Sequence, residues 1–133
     1  MQKIKLQTRS RTELLEITQQ IENVVHGSDI REGICYVYVP HTTAGITINE
    51  NADPSVRRDI LNTLNKIIPF DGNYTHAEGN AAAHIKASLV GFSACIPICD
   101  GKLALGTWQG IFFCEFDGPR SREVFIQILK SES

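Results

Sequence analysis

A chain of 133 residues, 42% apolar and 21% charged, has the size and composition of one soluble globular domain spanning residues 1–133. Its net charge of −2, with both signs interspersed, excludes a broad basic face, so no nucleic-acid partner is expected. No apolar run approaches the ~20 residues that cross a bilayer, and MQKIKLQTRS lacks a signal-peptide core; the cytoplasm is the expected compartment, without a membrane partner.

Residues 2–8 alternate and predict a strand, whereas residues 14–18 fit either a strand or a helix. Ile17, Ile21, Val24 and Val25 recur at helical spacing, and the run from His26 to Asp29 closes that helix, leaving His26 as a helix-end residue. Residues 33–39 (GICYVYV) are apolar on both faces and predict a central strand. Pro40 ends it, His41-Thr42-Thr43-Ala44-Gly45 reads as a polar turn, and residues 46–50 as a second strand. Asp53 and Pro54 form a helix entry, Val56, Ile60, Leu61, Leu64, Ile67 and Ile68 supply an apolar face, and Pro69 stops the helix.

Residues 71–91 open as a polar, glycine-punctuated loop and close as a helix beginning near Gly79. Helical spacing puts Asn80, His84 and Ser88 on one stripe and Ala81, Ile85 and Leu89 on the adjoining apolar face. Strands are then predicted over 92–98, 103–105, 111–116 and 123–129, the last two as a hairpin around Asp117-Gly118-Pro119-Arg120. This order predicts an α+β domain with a mainly antiparallel sheet. Helices cover one side of that sheet, and a subunit interface is expected on the other. Cys35, Cys95, Cys99 and Cys114 have no paired-cysteine or zinc-ribbon spacing. On one strand, Cys95 and Cys99 stand about 13 Å apart, too far for a disulfide, so all are expected as reduced core residues.

Three histidines lie in or beside polar turns: His41, His76 and His84. Imidazole is a common ligand for Zn²⁺, and three ligands plus water make an open catalytic site, with Glu50, Glu78 or Asp71 as a further ligand or proton acceptor. The plainer alternative makes these histidines hydrogen-bonded loop and cap residues. A second reading is phosphate binding by the Gly79-Asn80 helix start, Lys86, Arg120 and Arg122, with hydroxyls from Thr42, Thr43 and Thr47. Against it, Lys86 and His84 point to different faces of the helix. Trp108, the single tryptophan, can stack on a planar ring or cap the core.

HTTAGITINENADPSVRRDI, DGNYTHAEGNAAAHIKASLVG and GKLALGTWQGIFFCEFDGPRSREV together resemble the YjbQ-type family, also named secondary thiamine-phosphate synthase. The resemblance covers nearly the whole chain. It implies a compact α+β subunit assembling as a homotrimer, with a polar, metal-bearing site built from the histidine motifs. Onto this chain the site maps as His41, Thr42, Thr43, Asn49 and Glu50 from the first motif. The second contributes His76, Asn80, His84 and Lys86, and the third Trp108, Gln109 and Arg120.

Three functions follow from this reading. A thiamine-phosphate synthase joins a pyrimidine pyrophosphate to a thiazole phosphate, with Lys86, Arg120 and the Gly79 helix end on the phosphates and Trp108 on the pyrimidine. A divalent-metal hydrolase or lyase of a small phosphorylated metabolite uses metal-bound water, with Glu50 or Glu78 as base. A non-catalytic trimeric module binds a metal or metabolite. Pyrophosphate departure favours Mg²⁺ with oxygen ligands whereas three histidines favour Zn²⁺, a mismatch that weighs against the first.

Overall fold

The alternating segments form two separate antiparallel sheets in a computed structural model that describes residues 1–132. β1 (Gln2–Gln7), β8 (Ser121–Lys130), β3 (Gly33–Tyr38), β5 (Ser93–Cys99) and β6 (Lys102–Leu103) lie in that order in the larger sheet. β3 sits between β8 and β5, the central position its composition predicts. The smaller sheet runs β2 (Glu13–Glu16), β7 (Gln109–Glu115), β4 (Ala44–Glu50).

β7 is buried from Gly110 to Glu115 because both its faces are covered. Ile111 and Phe113 share a core with Ala44 and Ile46 of β4 and with Cys35, Val37, Val124 and Ile126 of the larger sheet. Phe112 and Cys114, with Phe116 just beyond, meet a second core on the opposite side. There, α2 (Pro54–Ile67) contributes Ile60, Leu61 and Leu64, and α3 (Ala81–Val90) contributes Ala83, Ala87 and Val90. The layers are therefore larger sheet, smaller sheet, helices. The 14–18 segment divides into β2, a buried junction at Ile17, and α1 (Thr18–Gly27), whose Ile21 and Val25 enter the first core. Asp53 caps α2 by accepting the Ser55 N–H at 2.9 Å.

The structure corrects four expectations. β7 and β8 are not a hairpin: β7 pairs with β2 and β4, and β8 with β1 and β3. A run apolar on both sides needs cover on both sides, whereas β8 alternates and suits a sheet with one solvent face. On α3 the buried face is Ala82, Ala83, Lys86 and Ala87, while Ile85 and Leu89 are exposed. The alanines win that face because minimal side chains let the helix approach β4 closely. Cys35 and Cys114 are buried free thiols as expected, but Cys95 and Cys99 are exposed on the outward face of β5. Trp108 caps no core; it is 63% exposed in the loop before β7.

Three connections cross between the sheets at one end of the molecule: β1 to β2, β3 to β4, and β7 to β8. Backbone hydrogen bonds tie them together, from Thr8 N to Arg120 O (2.9 Å), Gly118 N to Arg11 O (2.9 Å) and Phe116 N to Thr43 O (3.2 Å). Their approach at Gly118 admits no side chain, since a Cβ there would lie 2.3 Å from the Ser10 carbonyl oxygen. The N-terminus of α3 joins this end through Asn80, whose Nδ2 donates to Asp117 at 2.9 Å.

Candidate functional site

At the crossing end an open cleft of ≈ 470 Å³ is lined by His41, Thr42 and Thr43 of the β3–β4 turn, and by His76 and Glu78 of the loop before α3. Asn80 and His84 of the α3 start, Asp117 and Arg120 of the β7–β8 connection, and Arg122 at the start of β8 complete it. Three of the chain's four histidines thus share one cavity although 43 residue numbers separate His41 from His84.

Beneath the cleft lies a buried ion pair. Arg122 donates from Nε to Glu115 Oε1 at 2.8 Å and from Nη2 to Glu115 Oε2, a bidentate contact, and Nη2 also reaches the Thr43 hydroxyl at 2.9 Å. Thr8 Oγ1 donates to Glu115 Oε1 at 2.7 Å, and the Asp117 N–H to Oε2 at 3.0 Å. Burial alone would raise the Glu115 carboxyl, but these donors together hold it below its ordinary value. The network thereby fastens all three crossings to one carboxylate.

His41 is held from the same side. Its Nε2 accepts the Glu123 N–H at 3.0 Å, so the proton of the neutral ring sits on Nδ1. Burial, and next the Arg122 guanidinium, lower its pKa and favour that neutral form. His76 and His84 stand edge to face with ring centroids 5.2 Å apart. Asn80 fixes the α3 start, and its Oδ1 is buried without a hydrogen-bond partner. Arg120 is tied to Asp117 through the carbonyl (2.7 Å from Nε) and the carboxylate (2.9 Å from Nη2), leaving three of its five N–H donors for a ligand.

Of the residues expected at the site, the cleft brings together His41, Thr42, Thr43, His76, Asn80, His84 and Arg120. It does not include Asn49, Glu50, Trp108 or Gln109. Asn49 and Glu50 lie at the far end of β4, opposite Gly110 and Gln109 of β7, and six strand residues carry Glu50 about 20 Å beyond Ala44. Trp108 stays with that end, its carbonyl accepting the Asn51 N–H at 2.9 Å. Lys86 lies on the other face of α3, buried against Asn65 and lining a separate pocket. Glu115 is the residue that motif reading missed; a single carboxylate in the otherwise apolar run IFFCEF was its signal.

The three-histidine metal centre fits this arrangement only in part. Among the described residues no three His, Cys, Asp or Glu groups lie close enough together to hold an ion. The Nε2 lone pair of His41 is engaged by Glu123, which leaves His76 and His84 as the paired imidazoles.

Residues 2–131 match the family described as UPF0047 protein YjbQ-like. A UPF0047 protein of Methanocaldococcus jannaschii is 58% identical over 127 residues, covering 96% of this chain and 92% of its own length. YugU of Bacillus subtilis is 46% identical, with 95% and 96% covered. Among solved structures, a YjbQ/UPF0047-family protein of Clostridium acetobutylicum superposes with a TM-score of 0.95 at 53% identity, covering 97% of this chain and 100% of that one. A YbjQ-like protein of Sulfolobus solfataricus gives 0.94 at 37% identity, with 98% and 96% covered. The family match over residues 2–131, the relatives at up to 58% identity and the superposition at a TM-score of 0.95 agree, and the chain belongs to the YjbQ-like UPF0047 family.

Proposed function

We propose that the cleft is the active site of an enzyme acting on a small phosphorylated metabolite, with His76 and His84 moving protons at the reacting centre. The observation that carries this reading is the convergence of His41, from the β3–β4 turn, with His76 and His84, from the segment that enters α3, beside the unpartnered Asn80 Oδ1. Buried acceptors without partners are rare, and one on a cleft wall suits a ligand hydroxyl or amine. The free donors of Arg120, with the Thr42 and Thr43 hydroxyls, suit the anionic end of the same molecule. His41, neutral and anchored through Nε2, acts as a fixed Nδ1–H donor, and the Glu115–Arg122 pair positions it. The edge-to-face imidazoles can share protonation, one acting as acid while the other acts as base.

A second reading, a metal-dependent hydrolase or lyase, is favoured by the 5.2 Å spacing of His76 and His84, which suits two ligands of one Zn²⁺. It requires a further ligand from substrate or from a second subunit. Mg²⁺, which prefers oxygen ligands, suits the pair less well. Thiamine-phosphate synthase activity has less support, because Lys86 and Trp108 stand outside the cleft and neither a pyrophosphate counter-charge nor a pyrimidine platform is assembled from one chain. We also infer that the protein acts as a homotrimer, for which the exposed apolar face of the larger sheet provides a surface.

Turnover of a panel of phosphorylated metabolites, including pyrimidine pyrophosphate with thiazole phosphate, tests these readings. Metal-depleted and Zn²⁺-loaded protein should be compared. His76→Ala and His84→Ala are each expected to lower turnover by about 10²–10⁴-fold while the fold is kept. Activity that needs Zn²⁺ would select the second reading, and unchanged activity in both variants would remove the cleft from the chemistry.

A further inference from the structure

Lys86 is 3% exposed, yet it faces no carboxylate. Its ammonium donates to Asn65 Oδ1 at 2.7 Å, and the Asn65 amide in turn donates to Thr12 Oγ1 at 3.2 Å. The group lines a pocket of ≈ 230 Å³, with Arg11 at its exposed rim as a second cation, Thr12 and Asn65 as polar neighbours, and Phe70 and Phe116 among its apolar walls. Arg11 lies with its guanidinium carbon 3.9 Å from the Phe70 ring centroid, an aromatic contact that leaves its N–H groups free.

The donor count in this pocket is one-sided. Lys86 keeps two N–H groups beyond its contact with Asn65, the Thr12 hydroxyl accepts from Asn65 and so has its own O–H to give, and Arg11 adds more. No Asp or Glu lines the wall, in contrast to the histidine cleft with its Glu78 and Asp117. A buried cation ordinarily has a paired anion, since desolvation without one costs several kcal/mol. Here the opposite occurs: burial first, and the neighbouring Arg11 second, both lower the Lys86 pKa. A pocket with two cations, a hydroxyl donor and no acid is complementary to a compact oxyanion.

We propose that the Lys86–Arg11 pocket is an anion site, separate from the histidine cleft, that binds a phosphoryl group held by Lys86, Arg11 and Thr12. The volume suits free phosphate or the head of a phosphate monoester. Calorimetric titration of the full chain with inorganic phosphate and with glycerol phosphate, at constant ionic strength, tests it. Binding is expected in wild type and to persist in the His76→Ala/His84→Ala double variant. Arg11→Gln, an exposed change that leaves the core intact, should weaken binding about tenfold, and Lys86→Met should abolish it. Tighter binding of glycerol phosphate identifies a monoester as the occupant, and tighter binding of inorganic phosphate identifies the free ion. Absence of saturable binding, affinity unchanged in Arg11→Gln, or loss of binding in the histidine double variant would each overturn the proposal. Since the histidine variants report on the cleft by turnover and Arg11→Gln reports on this pocket by affinity, either idea can fail alone.

Discussion

Glu115 and Arg122 show how a buried ion pair can shape the wall of a cleft. Each is almost wholly buried, and each is the other's main countercharge. Removing one partner leaves an isolated charge in a low-dielectric interior, so Arg122→Met should destabilise the protein by about 3–5 kcal/mol in urea unfolding. Adding Glu115→Leu should recover most of that loss, because a well-packed apolar pair no longer needs solvation. A loss below about 1 kcal/mol would mean that the pair behaves as an exposed salt bridge. This pair was half legible in the sequence. A carboxylate inside IFFCEF demands a cation, but Arg120 and Arg122 both follow the turn, and only packing selects the one facing inward.

At the scale of elements, the crossings determine where the chemistry can stand. The motif HTTAGITINE looks like one polar patch, yet a strand pulls it apart: its beginning lines the cleft and its end lies six residues away along β4. The β7–β8 connection behaves as a junction, and Gly118 is its tightest point. Gly118→Ala would press a methyl group into the Ser10 carbonyl oxygen, which is backbone and cannot rotate aside. Thermal unfolding should show a loss of at least about 1 kcal/mol, with weaker ligand binding in the cleft. Gly27→Ala in α1 provides the control, since nothing lies within 4 Å of its added Cβ, and it should be neutral or slightly stabilising. Equal losses in both variants would show that the crossing is not tightly packed.

For the whole molecule, the outer face of the larger sheet carries Ile34, Tyr36, Tyr38 and Leu129 at 39–56% exposure. Tyr36 and Tyr38 stack at 6.4 Å, and Phe125 lies 6.4 Å from Tyr38, so the apolar surface is contiguous across β3 and β8. A patch of this kind on a sheet face suits self-association. Tyr38→Glu places a charge at its centre and should convert the proposed trimer to monomer in sedimentation equilibrium. A trimer that persists through this change would relocate the interface. The same face accounts for the second apolar side of β3, which neither sheet nor helix covers within the chain although the strand is central in its sheet.

The sequence alone determined the positions of most strands and helices, the Asp53 cap and several of the residues that line the cleft. These follow from local periodicity, chain stiffness and side-chain chemistry. Only the tertiary structure decided that β7 and β8 belong to different sheets, that Lys86 faces away from the histidines, and that Glu50 and Trp108 stand apart from them. Those outcomes depend on which faces find cover across the core, a property of pairs of elements that no single segment encodes.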